Sequence, residues 1–212
     1  MGRTHLTRNS GFADFSPTTL ADILGGSRVM DIGIRPLWPE ISRVAGPAFT
    51  VCCPPGDNLM LHAAIYRAQP GSVIVVQAGD AEYAVAGGNV CAVAQRRGIA
   101  AFVVDGVIRD LAEARSMGFP VFARGVSPVA GTKSVVAPLN NPVQCGGVRV
   151  EAGDVVVADE EGVVVVPADR WDEVSADARG RLAREAAETI DEWQAAHSAR
   201  IARILAEKGF RG

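Results

Sequence analysis

The stretch from Gly87 to Glu113 constrains this chain more than any other. GGNV at Gly87–Val90 opens a segment that reads as a helix. AAFVV at Ala100–Val104 reads as a very apolar strand, and DGVIRD at Asp105–Asp110 closes it. Helix and strand in this order point to an open α/β arrangement. There, the strand's C-terminal end and the helix's N-terminal end both face the ligand side. Backbone N–H groups, a guanidinium and a carboxylate brought together suit a small anionic keto acid on a divalent metal.

The segments on either side continue the alternation. Ser16-Pro17 reads as an N-cap with proline at the first helical position, and the short helix should stop at Gly25-Gly26. GPAFTV at Gly46–Val51 reads as a strand entering a turn at Pro54-Pro55-Gly56. Asp57-Asn58 then cap a helix to about Ala68. SVIVV at Ser72–Val76 is a buried strand. A helix from about Gly88 to Arg97 follows, then the Ala100–Val104 strand, an Asp105–Arg109 turn, and a helix from Asp110 to Met117. From Val121 the texture changes to short valine-rich strands, with Glu160-Glu161-Gly162 resembling a hairpin turn. One domain is expected, with two sheets and flanking helices. Its core covers about residues 16–167, and a helical arm covers about 169–208 with Asp169 as N-cap. Unbroken, that arm would be roughly 55 Å long, more than a compact domain of this size can bury. Gly180 is the expected break, and part of the arm is expected to pack on another subunit.

Composition narrows the function classes. The chain has 212 residues and a net charge of −3, with a pI of about 5.6, which argues against a generic grip on nucleic acid. No apolar run reaches membrane-spanning length, and no signal peptide is apparent at the N-terminus. Cys52, Cys53, Cys91 and Cys145 form no C-x-x-C pair and no zinc signature, so reduced thiols in a cytoplasmic protein are expected.

The candidate chemistry gathers on few residues. The first turn of the helix opened by Gly87, Gly88, Asn89 and Val90 offers unpaired N–H groups and a positive dipole end to a substrate carboxylate. A glycine-rich turn that only permits tight packing reads equally from the same residues. Arg109 can polarise a ketone oxygen while gripping a carboxylate, and Asp110 offers a hard oxygen ligand to Mg²⁺ or Mn²⁺. Asp110 with Glu113 also matches a helix capping box. Asp57 and His62 read as structural, Asp105 as a turn residue with Gly106, and Lys133 and Lys208 lie outside these motifs.

Taken in order, GPAFTV (Gly46–Val51), GDN (Gly56–Asn58), GSVIVV (Gly71–Val76), AGGNV (Ala86–Val90), GIAAFVVDGVIRD (Gly98–Asp110), PVFARG (Pro120–Gly125) and GDVVVADEEGVVVVP (Gly153–Pro167) resemble the RraA-like family. That family includes class II pyruvate aldolases acting on 4-hydroxy-4-methyl-2-oxoglutarate and 4-carboxy-4-hydroxy-2-oxoadipate. The resemblance implies a three-layer β/β/α core similar to the swivelling phosphohistidine-type fold, and a trimer or hexamer with sites at subunit interfaces. It places pyruvate binding on Gly87–Val90, substrate binding on Arg109 and metal binding on Asp110. Many aldolase members carry Asp or Glu where this chain has Gly88. Glu113, or an acid such as Glu185 from a neighbouring subunit, could stand in. The implied activity is metal-dependent C–C cleavage of 2-oxo acids to pyruvate, with oxaloacetate decarboxylation. The alternative is a regulator that masks an RNA-degrading endonuclease. A methyltransferase reading lacks a glycine-rich cofactor loop after an early strand.

Overall fold

The computed structural model describes residues 9–210. Ser16 caps α1 (Pro17–Leu24) by accepting the Thr19 N–H, as its Ser-Pro start predicts. Strand β1 (Arg35–Pro36) and the long β2 (Val44–Cys53) follow, then α2 (Leu59–Ala64) and β3 (Val73–Ala78). Next come α3 (Gly88–Arg96), β4 (Ala101–Ile108), α4 (Leu111–Ser116) and β5 (Val121–Val126). Two hairpins, β6–β7 (Val143–Cys145, Val148–Val150) and β8–β9 (Val155–Asp159, Gly162–Val166), precede α5 (Trp171–Ala187) and α6 (Ile190–Glu207).

Seven strands form one sheet in the order β1-β5-β4-β3-β2-β8-β9, while β6 and β7 form a second, small one. β2, β3, β4 and β5 run parallel, and β1, β8 and β9 each run antiparallel to a neighbour. Val73–Val76 and Ala101–Val104 are buried on both faces because each face is covered, the condition that lets a strand be apolar throughout. On one face, Leu61, Cys91, Ala94 and Ala114 of the helices pack against Ile74, Val76, Phe102 and Val104. On the other, Val75, Val103 and Phe122 meet Val143 and Val150 of the small sheet and Val163 and Val165 of β9. Strands from opposite ends of the sheet thus share one core, which curls the sheet nearly into a barrel. The α/β, β/β/α layering with a C-terminal helical arm is therefore the architecture that the resemblance implied.

Several boundaries differ from the sequence expectation. β4 continues to Ile108, so Asp105–Arg109 is strand for most of its length; Asp-Gly marks a register shift between Val104 and Val107 instead of a turn. α2 ends at Ala64, short of Ala68. Asp169 does not cap the arm, since α5 begins at Trp171 without a side-chain cap. Gly180 lies inside α5, and the break falls at Glu188–Thr189, where Thr189 and Glu192 form a capping box that starts α6. Trp171, Val174 and Ala178 of α5 bury against Leu20 and the outer face of β8–β9. α6 buries no residue within this chain.

The turn after β2 is fastened to the loop of residues 131–135 by Asp57, which is only 3% exposed. Its carboxylate accepts from the N–H groups of Leu59 (2.9 Å) and Ser134 (2.6 Å), and from the Thr132 hydroxyl (3.1 Å). Asn58 N–H to Thr132 C=O and Thr132 N–H to Gly56 C=O close the joint. Burial alone would raise the Asp57 pKa, but the hydrogen bonds from Leu59, Ser134, Thr132 and Val135 outweigh it and hold the carboxyl below the usual carboxylate range. Its folded pKa lies under the unfolded one, so the stability it contributes is present above about pH 3.9 and lost as pH falls through the folded value. Asp57→Asn is expected to lower unfolding free energy at pH 7 by about 2–3 kcal/mol and to flatten its acid dependence. Urea titrations at pH 7 and pH 3 check this.

Candidate active site

The parallel strands end on one side of the sheet, and three of the connections they feed meet there. Gly56–Asn58 follows β2, Gly79–Gly87 follows β3, and Arg109-Asp110 follows β4. Backbone bonds join them: Val85 N–H to Val107 C=O and Arg109 N–H to Ala86 C=O run the β3–α3 loop alongside the end of β4. Asp110 takes a left-handed conformation (φ 56°), which aspartate tolerates better than most residues. Its side chain does not cap its own helix, contrary to the capping-box reading. Oδ2 instead accepts the Gly88 N–H at 3.0 Å, so Asp110 caps α3 from across the site.

The neighbouring side chains explain both glycines. A Cβ on residue 87 would stand 2.5 Å from Asp110 Oδ2 and 3.1 Å from Arg109 Nε. One on residue 88 would stand 1.8 Å from Glu113 Oε2. Gly87 thus makes room for Asp110 and Arg109, and Gly88 for Glu113, whose carboxylate fills the space a side chain at 88 would enter. Arg109 Nε lies 3.5 Å from Asp110 Oδ2, both side chains are partly exposed, and no other ion pair of Arg109 occurs among the described residues.

A cavity of about 80 Å³ lies here, lined among others by Gly87, Asn89, Val90, Arg109 and Asp110. That is far below the ~300–1,000 Å³ of drug-sized sites, so it suits a ligand of few atoms. Five of the residues singled out from the sequence therefore converge, with Gly88 and Glu113 directly behind them. Glu185 does not line the cavity; it pairs with Arg181 on α5 at 2.8 Å. His62, Asn58 and Lys133 also line it, which sequence reasoning missed. His62 and Asn58 sit on and before α2, whose N-terminus faces the site. Lys133 arrives from a loop whose place depends on Asp57, and no local motif announces it. Burial, then the charges of Lys133 and Arg109, lower the His62 pKa, which leaves the imidazole neutral at pH 7. Burial, then the Asp110 charge, push the Cys91 thiol up to about 12, so it is no nucleophile. Asp105 serves elsewhere, accepting from Arg124 and from Gly146 N–H. No disulfide joins the four cysteines, and no helix is long and apolar enough to cross a membrane, among the described residues.

Comparison with known proteins shows the family. A family profile described as "RraA-like: Aldolase/RraA" matches residues 17–165. A protein of Halalkalibacterium halodurans, named "Putative 4-hydroxy-4-methyl-2-oxoglutarate aldolase", is 40% identical over 177 residues, covering 83% of this chain and 84% of the relative. One of the same name from Burkholderia multivorans is 34% identical over 71% of this chain and 95% of the relative. The crystal structure of Streptomyces coelicolor RraAS2, described as an unusual member of the RNase ES inhibitor RraA protein family, superposes with a TM-score of 0.77 at 32% identity. It covers 87% of this chain and 96% of that one.

Proposed function

This chain belongs to the RraA-like family, and from that premise we propose that it is a lyase releasing pyruvate from 2-oxo acids by C–C cleavage. Its aldol chemistry is of the 4-hydroxy-4-methyl-2-oxoglutarate type, accompanied by oxaloacetate decarboxylation. The observation that carries the reading is the convergence of Arg109, Asp110 and the Gly87–Val90 turn on one small cavity.

The donor set suits a hard divalent ion. The described residues hold no group of three His, Cys, Asp or Glu side chains that could enclose a metal alone. Mg²⁺ and Mn²⁺ are commonly held by one or two carboxylates, with water and ligand oxygens completing the shell. Asp110 would hold the ion through the oxygen it does not give to Gly88. Bound there, the ion supplies Lewis-acid polarisation of the keto group. The protein's own groups do the rest. Gly88 N–H is taken by Asp110, so the N–H groups of Asn89 and Val90 are the ones left in the first turn to meet the substrate carboxylate. Arg109 turns its planar fork to the charge that grows on the keto oxygen as the C–C bond breaks. Glu113, in the space of the missing acid at 88, takes the proton of the aldol hydroxyl. Oxaloacetate loses CO₂ without giving up a hydroxyl proton. No lysine Schiff base is required.

We further propose a cytoplasmic trimer or hexamer in which the exposed Ile190, Trp193 and Leu205 of α6 meet a neighbouring subunit, with Glu185 as an acid supplied in trans. A second reading, a non-catalytic regulator of an RNA-degrading endonuclease, draws on the relationship to the Streptomyces protein. Pyruvate release separates the two: none from either substrate class at saturating Mg²⁺ leaves only the regulator.

Four outcomes are expected. EDTA abolishes decarboxylation and Mg²⁺ or Mn²⁺ restores it, while Arg109→Lys lowers kcat/KM at least about 100-fold, or roughly 2.7 kcal/mol, with the circular-dichroism spectrum unchanged. In Glu113→Gln, coupled-enzyme assays on both substrates find aldol cleavage reduced more than decarboxylation; an unchanged ratio removes Glu113 from proton transfer. Truncation after Ala187 gives smaller oligomers by light scattering and low activity, whereas a fully active monomer means that the site is complete within one chain.

A further inference from the structure

α6 lies beyond residue 165, where the family profile ends, and it buries no residue within this chain. Its apolar face is narrow and has an internal symmetry. Ile190 and Trp193 stand seven and four residues before His197, and Ile201 and Ile204 stand four and seven after it. At about 100° per residue, all five fall within roughly 80° of one another around the helix. Ile190, Trp193 and Ile201 are 73%, 46% and 38% exposed. The His197 ring stacks on that of Trp193, with centroids 4.5 Å apart. Apolar area of this extent is costly to leave in water and marks a contact surface. The stripe has the same spacing read from either end, and it is apolar everywhere but at its centre. A helix that packs on an inverted copy of itself needs that spacing, because a two-fold interface sets position i on position j and j on i.

Charge decides between an inverted and a parallel copy. Asp191 and Glu192 open α6, and Arg200 and Arg203 stand in its second half. By the same rotation, Glu192, Arg200 and Arg203 lie on one flank of the stripe and Asp191 on the other. Two parallel copies would set Asp191 beside Glu192 of the partner subunit, a repulsion between like charges. Two antiparallel copies bring like flanks together, so Glu192 adjoins Arg200 and Arg203 of the partner subunit. We propose that α6 docks on α6 of a second copy of this chain, as an antiparallel pair centred on His197. Ile190 meets Ile204 of the partner subunit, Trp193 meets Ile201 of the partner subunit, and the two His197 side chains meet at the two-fold axis. Ala196 and Ser198 beside them are small enough for the helices to close there. A polar side chain at one position of an apolar seam fixes the register at a cost in stability, and His197 holds that position. A ring of three chains has no two-fold axis. The pairing therefore joins chains in even number and selects the hexamer of the two states proposed above; it rests on the α6 contact proposed there.

Disulfide trapping in the full-length protein tests it, because only residues that face each other closely can be bridged. After mild oxidation, His197→Cys is expected to run as a covalent dimer on a non-reducing gel. Ile190→Cys and Ile204→Cys, each alone, should run as single chains, since an antiparallel pair holds each of these about 20 Å from its own copy. Co-expressed, those two variants should cross-link to each other. The wild type, whose Cys53, Cys91 and Cys145 are buried, is the control. Equal trapping of all three single variants means parallel helices; it overturns the antiparallel pair and leaves α6 an interface. Loss of either the dimer at 197 or the mixed bridge between 190 and 204 overturns the pair as well. Light scattering after truncation at Ala187 then separates the two failures. Smaller oligomers mean that α6 meets some other surface of a neighbour, and unchanged oligomers remove the α6 contact altogether.

Discussion

The hydrogen bond from Gly88 N–H to Asp110 Oδ2 ties the start of α3 to the end of β4, and the geometry of the site depends on it. Asp110 can reach across because its backbone is left-handed, and it can come close because residue 87 has no Cβ. Arg109 is placed by the same joint. Its backbone N–H is held by Ala86 and its guanidinium lies beside the Asp110 carboxylate. A charge-assisted bond of this kind is among the stronger ones a protein makes. Here it also fixes which Asp110 oxygen and which N–H groups remain for a ligand.

A second joint works in parallel. Asp57 and Asn58 bind the loop around Lys133 to the turn after β2, while Asn58 also reaches the loop before α3. The cavity therefore has walls from distant parts of the chain, fixed by polar contacts near the C-terminal ends of the parallel strands. That is how a surface cleft keeps its shape without a ligand: the scaffold is rigid apolar sheet, and the loops are bonded to it and to one another.

Much of this was legible in the sequence. Strands such as Ser72–Val76 and Ala100–Val104 announced themselves because only burial on both faces tolerates such runs. Ser16-Pro17 marked a helix start for the same local reason that it forms one. At two places a tertiary contact overrules the local signal. Asp-Gly at 105–106 has turn chemistry, yet pairing of Asp105 with β3, and of Val104 and Val107 on either side with β5, keeps it extended. Asp110 and Glu113 have capping-box spacing, but Asp110 gains more from the N-terminus of α3. The arm breaks not at Gly180 but at a signal that is itself local, the threonine and glutamate of a capping box at 189 and 192. The site's first wall was readable, with the family resemblance, because Gly87–Val90 and Arg109-Asp110 are compact motifs. The second was not, because Lys133 is brought in by a loop whose position no short-range pattern encodes.

The central claim is that a 2-oxo acid binds where Asp110 meets the first turn of α3. Amide nitrogen–proton NMR spectra recorded as pyruvate is added to the Mg²⁺-loaded protein test it most directly. The account predicts that the largest shifts fall on Gly88, Asn89, Val90 and Arg109. Shifts concentrated elsewhere, for instance around Arg28 and Arg149 in the cleft beside β7, with Gly88–Val90 unmoved, would contradict it.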